Sequence, residues 1–83
     1  MKIVWDEIKR RANISKHGMD FADLEIDLFY AATILPAQGK RFMAIGGIEG
    51  IAVTVVFSRL GSEAVSIVLC GPPARRKGVS DDG

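Results

Sequence analysis

Eighty-three residues make one domain, and a 48% apolar content suffices for a core, with little stability to spare at this size. A net charge of +1 excludes a chain held to nucleic acid by overall charge, and a single cysteine, Cys70, excludes an internal disulfide and points to a reducing compartment. No apolar run reaches the roughly 18 residues of a membrane span, and charged Asp6 comes too early for a secretory leader, so a cytoplasmic domain is expected.

Met1 to Trp5 reads as a short edge strand. Asp6 suits a helix N-cap, and Glu7 places a negative charge where the helix dipole favours it, four residues before Arg11. Ile8 and Ala12 offer a narrow apolar face. Opposite them Lys9, Asn13, Lys16 and His17 share one polar, mostly cationic face before Gly18 ends the helix. Asp20 can cap a second helix, in which Phe21, Leu24 and Leu28 form an apolar stripe. Residues 31–39 read as a short strand stopped by Pro36, followed by a loop.

From Arg41 the period becomes two. Residues 41–47 predict a strand, Gly47 to Gly50 a four-residue turn, and Ile51 to Ser58 a central strand that is apolar on both faces. Arg59 to Glu63 predicts the next turn. Residues 64–70 form the last strand, ended by Gly71-Pro72-Pro73. The expected fold class is α+β: two N-terminal helices packed on one face of a three- to four-stranded antiparallel sheet, in two layers. The other face is left partly open. One domain is expected over residues 1–73, with a polar, disordered tail over 74–83.

Metal-ligand spacing is absent, as are a phosphate-binding loop and a serine in a nucleophile elbow, so neither metal nor cofactor is expected. The cations cluster instead: Lys9, Arg10, Arg11 and Lys16 early, Lys40 and Arg41 mid-chain, Arg75 to Lys77 late. Cleavage of RNA through its own 2′-hydroxyl needs a base, an acid and cations to hold the phosphate. His17, the only histidine, is the candidate proton carrier, and Lys16, Arg41 and Arg59 are candidate phosphate clamps. Plainer roles compete: His17 suits a helix C-terminus in any protein, Lys9 and Arg10 suit solvent, Arg41 suits a blunted strand edge, and Trp5 suits a packing role. Cys70 reads as a small buried hydrophobe.

Trp5, Asp6, Lys9, Asn13, Lys16, His17, Gly18 and Phe21 in WDEIKRRANISKHGMDF resemble the opening signature of BrnT-type toxins of bacterial type II toxin–antitoxin modules. Arg41-Phe42, with Ala44-Ile45-Gly46, resembles that family's R-F-x-x-I-G strand, and Val55-Val56-Phe57 with the turn at Gly61 resembles the strand and turn that follow. The resemblance, over residues 2 to about 68, implies a RelE-like fold and a metal-independent ribonuclease that arrests translation. It implies as partner a BrnA-like antitoxin, which would neutralise the toxin and carry the complex to DNA, so that the chain meets DNA only indirectly. A homo-oligomer is compatible with it. As catalytic candidates it implies Lys16, His17, Arg41 and, less directly, Arg59.

The end of the chain departs from that pattern. Relatives of this type continue the last strand into S-x-R-x-A-S-R-x-E-R-R-L-Y, whereas Leu69-Cys70-Gly71-Pro72-Pro73 stands here and the strand-end arginine is missing. Moving the codon frame back by one nucleotide permits Met-Arg-Pro-Ala-Ser-Lys-Lys-Glu-Arg-Arg-Leu from position 70 onward, so a frameshift accounts for the departure. The lost arginine predicts weakened toxicity, and with it a second expectation: a module that still binds the antitoxin without ribonuclease activity.

Overall fold

The structure, a computed structural model, describes residues 1–72; the expected tail and its boundary lie outside them. Chain order is β1 (Lys2–Trp5), α1 (Glu7–His17), a 3₁₀ turn (Phe21–Asp23), α2 (Ile26–Ala31), β2 (Thr33–Pro36), β3 (Arg41–Ile48), β4 (Ile51–Leu60) and β5 (Ala64–Gly71). The strands form one five-stranded sheet in the order β1-β5-β4-β3-β2. The α+β class and the antiparallel run β2 to β5 agree with the sequence reading. The sheet is wider and mixed, because β1 pairs in parallel with β5, Lys2 opposite Ala64 and Trp5 opposite Ile67. That pairing joins the two ends of the domain, so no local pattern announces it. β4, richest in β-branched residues, is central as expected.

Helix α1 starts and stops as its sequence requires. The Ile8 N–H donates to Asp6 Oδ1 at 3.2 Å, and Gly18, at φ 72°, closes the other end through its N–H to the Ile14 carbonyl. Arg10 lies between Glu7 (2.6 Å) and Asp20 (2.9 Å), and Arg11 reaches Glu7 at 3.4 Å. The hydrogen bonds from Arg10, aided by charge, hold the Glu7 carboxyl at about 2, below its usual 4.5. Glu7 and then Asp20 raise the Arg10 pKa in return. Part of the early basic cluster is therefore neutralised.

The predicted second helix divides in two. Asp20 caps only the 3₁₀ turn, accepting from the Ala22 N–H at 2.9 Å, and the chain then extends through Leu24 and Glu25 before α2 begins. Phe21, Leu24 and Leu28 still enter the core together. The extended break rather than a continuous stripe delivers Leu24 there. α2 sits close above β3 because of Gly46, where a Cβ would lie 3.3 Å from that of Ala32 and 3.4 Å from Leu28 Cγ. The β3–β4 connection is tighter than the expected four residues: Ile48 pairs with Ile51, leaving Glu49 and Gly50 at φ 51° and 82°, as in a type I′ hairpin.

The core lies between the helices and one sheet face, with Val53, Val55, Phe57, Val65, Ile67, Cys70 and Ala44 meeting Phe21, Leu24, Leu28 and Phe29. Trp5 packs edge-on against Phe21 at 6.4 Å, in the packing role. Strand alternation sends Arg41, Met43, Ile45, Thr54 and Val56 to the opposite face.

Candidate active site

The face of α1 that points inward is not the apolar one. Ile8 is 76% exposed, while Asn13 is the buried residue of the helix. Strand β1 stops opposite Ile67, so β5 continues past it with an unpaired edge. Asn13 fills that gap. Its Oδ1 accepts from the Cys70 N–H at 3.1 Å, and its Nδ2 donates to the Cys70 carbonyl at 2.7 Å and the Met19 carbonyl at 2.9 Å. One carboxamide thus replaces a strand and fastens α1 across the end of β5. Burial raises the Cys70 thiol pKa, with Asp23 adding to it, which suits the inert role read from the sequence.

Fastened this way, the residues beside Asn13 face β5. Lys9, Ala12, Lys16 and His17 line a groove of about 210 Å³ with Val68 and Leu69. Val68 is the extra residue of a bulge, since Phe57 pairs with Ile67 but Val56 with Leu69. Bulges of this kind re-aim side chains next to sites. The His17 ring lies over Gly71, with Cγ and Nδ1 each 3.4 Å from where a Cβ would stand. Gly71 is opposite Thr54 in the sheet, on the same face. Among the described residues, His17 Nε2 and Thr54 Oγ1 are buried polar atoms without a hydrogen-bond partner. Of these two orphaned groups His17 lines the groove and Thr54 lies on the same sheet face opposite Gly71, and native proteins rarely leave such atoms unpaired.

The candidates named from the sequence divide three ways. Lys16 and His17 share the groove with Lys9. Arg41 lies on the same sheet face but diagonally away, for Arg41 is level with Ser58, whereas Ile45 is level with Thr54 and Gly71. Four residues along β3 and two strand spacings separate it from Gly71 by on the order of 16 Å. Arg59 alternates with Phe57 onto the helix side and lines a different groove with Phe29 and Phe42. Its expected place beside the other cations is therefore corrected: strand parity directs it to the other face. Sequence reasoning missed Thr54, which looked like one more β-branched strand residue, and the structural duty of Asn13.

The pattern described as "Ribonuclease toxin, BrnT, of type II toxin-antitoxin system" matches residues 5–70. The chain therefore belongs to the BrnT family of type II toxin–antitoxin systems. The 1.1 Å crystal structure of the Brucella abortus ribonuclease toxin BrnT is similar to it at 46% identity and a TM-score of 0.84, covering 90% of this chain and 99% of that one. No curated protein sequence matches. The family match ends at residue 70. Among the described residues no helix is long and apolar enough to cross a membrane.

Proposed function

We propose that this chain is a ribonuclease toxin that binds RNA across the α1–β5 groove and is neutralised by a BrnA-like antitoxin. One observation carries the reading: His17, whose buried Nε2 has no partner, lines a groove together with Lys9 and Lys16, and the unpartnered Thr54 lies behind it on the same sheet face, opposite Gly71. A ribose–phosphate segment entering there supplies the missing partners. His17 takes the 2′-hydroxyl proton, the 2′-oxygen bonds to phosphorus, and the bond from phosphorus to the 5′-oxygen breaks as that oxygen takes a proton from a solvent water. Lys16 and Lys9 offset the charge that grows on the phosphate. Thr54 orients the imidazole or the incoming hydroxyl. Arg41 grips the backbone of a flanking nucleotide, as its distance from the groove requires. The RNA is the substrate, and DNA is met only through the antitoxin.

A second reading is favoured by Gly71. The shifted codon frame permits arginine at this position, and a side chain there would start 3.4 Å from the ring of His17, which lines the groove. Its loss leaves an antitoxin-binding module with weakened chemistry. One experiment treats both readings: the chain, its His17→Ala variant and its Gly71→Arg variant are expressed in a bacterium without antitoxin. Growth arrest with RNA fragments ending in 2′,3′-cyclic phosphate, lost in His17→Ala, supports the ribonuclease. Arrest by Gly71→Arg alone supports the impaired module, and no arrest by any of the three defeats the nuclease centre. The gene's nucleotide sequence tests the frameshift separately: it fails if no single-base change restores the family tail.

A further inference from the structure

On the helix side of the sheet, α2 leaves one end bare. A groove of about 220 Å³ runs there past Phe29, Tyr30, Ile34, Phe42, Phe57 and Val65, with Arg59 as its single charged side chain. That volume is several times the roughly 30 Å³ share of a water and suits a large side chain. Tyr30 is 73% exposed and Ile34 44%, so the groove presents apolar surface to solvent. Arg59 makes no ion pair among the described residues, whereas Arg10 and Arg11 both do. An apolar floor with one unpaired guanidinium is complementary to an apolar side chain next to a carboxylate.

We infer that this groove receives an acidic, apolar segment of the antitoxin polypeptide, with Arg59 as its charge anchor. The inference rests on the toxin–antitoxin reading above and assigns the partner a surface separate from the RNA groove. RNA fits this groove poorly. A nucleic-acid backbone is held by several basic side chains, and Arg59 is the one that lines this groove. The Phe29 and Phe42 rings already pack on Phe57, edge-on at 5.3 Å and stacked at 5.9 Å, which leaves Tyr30 as the one exposed ring of the groove rather than a run of stacking platforms.

The test measures binding of the full-length chain to its co-expressed, purified antitoxin by calorimetry, for the unmodified chain, Arg59→Glu and Tyr30→Ala. Circular dichroism controls for folding. RNA cleavage is followed in parallel, in the Gly71→Arg background if the unmodified chain is silent. The expected result is a tenfold or greater loss of antitoxin affinity in both variants with cleavage unchanged, and restoration of Arg59→Glu binding by an acid-to-lysine change in the antitoxin. Equal binding by all three forms overturns the groove while leaving the toxin–antitoxin reading intact. Failure of the unmodified chain to bind overturns both. Loss of cleavage in Arg59→Glu with binding retained assigns the residue to RNA, and a dimer of the chain dissolved by Arg59→Glu assigns the groove to a second copy. Either result overturns the inference.

Discussion

Two hollows on this small domain differ in size and in sign. The one between α2 and the β3–β4 hairpin measures about 660 Å³, against about 210 Å³ for the groove between α1 and β5. The larger is lined by Asp23, Glu25, Asp27 and Glu49, the smaller by Lys9, Lys16 and His17. Volume favours the first; a polyanion is repelled from it and drawn to the second. The two also differ in how they are built. The acidic hollow is framed by a six-residue helix without a side-chain cap and by a hairpin whose Glu49 has a positive φ. The basic groove is set by a buried carboxamide that bonds three backbone groups. Charge and rigidity, rather than room, distinguish a site for phosphate chemistry.

The largest effect expected from this contrast is on catalysis. Lys16→Ala lowers RNA cleavage by on the order of 10²-fold, measured as cyclic-phosphate product in a chain competent to cut. Asp27→Asn in the acidic hollow changes it by less than about threefold, because distant exposed charges are screened. Equal losses would erase the distinction between the hollows.

Stability is next. Asn13→Ala orphans both Cys70 backbone groups and is expected to cost about 2–4 kcal/mol in thermal or urea unfolding. Asp27→Ala, on an exposed side chain, stays within about 0.5 kcal/mol. A mild Asn13→Ala phenotype would mean that α1 is held by something other than its carboxamide.

A smaller effect comes from acid. Glu7 has its pKa lowered from 4.5 to about 2 by Arg10, so its contribution is complete above about 4.5 and is lost as pH falls toward 2. Asp20, lowered by the Ala22 N–H and then by Arg10, acts in the same direction. Stability followed from pH 5 to pH 2 should therefore decline, and Glu7→Gln should flatten part of the decline. Identical curves for both proteins would remove the Arg10 clip from the account of α1. Smallest is the hairpin: Glu49→Asn relieves a left-handed glutamate and should add up to about 1 kcal/mol, read from the thermal midpoint.

Much of this comparison was legible in the residues, and the illegible part has a common cause. The caps at Asp6 and Gly18, the strands with period two, the central position of β4 and the stop at Pro36 all follow from neighbours within a few residues. Lys16 and His17 could be picked out together because a helix places adjacent turns on one face. Apart from the split second helix and the tighter β3–β4 turn, what failed was non-local. The inward face of α1 was taken for a solvated one, since Asn13 looks polar until the bare edge of β5 is known. Arg59 was grouped with the other cations because a strand's two faces cannot be assigned before its register is. Thr54 gave no signal at all; its place opposite Gly71, the residue over which His17 lies, depends on the register of β4 against β5.

By itself the sequence determined the first helix with both its caps, the run of β-strands, the α+β class and the family, all of which rest on short-range backbone and side-chain preferences. Only the tertiary structure decided that the first strand lies parallel to the last, that Asn13 closes the gap beyond it, and that the cations are sorted onto different faces. The physical reason is that these depend on hydrogen-bond partners some sixty residues apart, Cys70 and Asn13 being 57 positions from each other. No periodicity within an element carries that information.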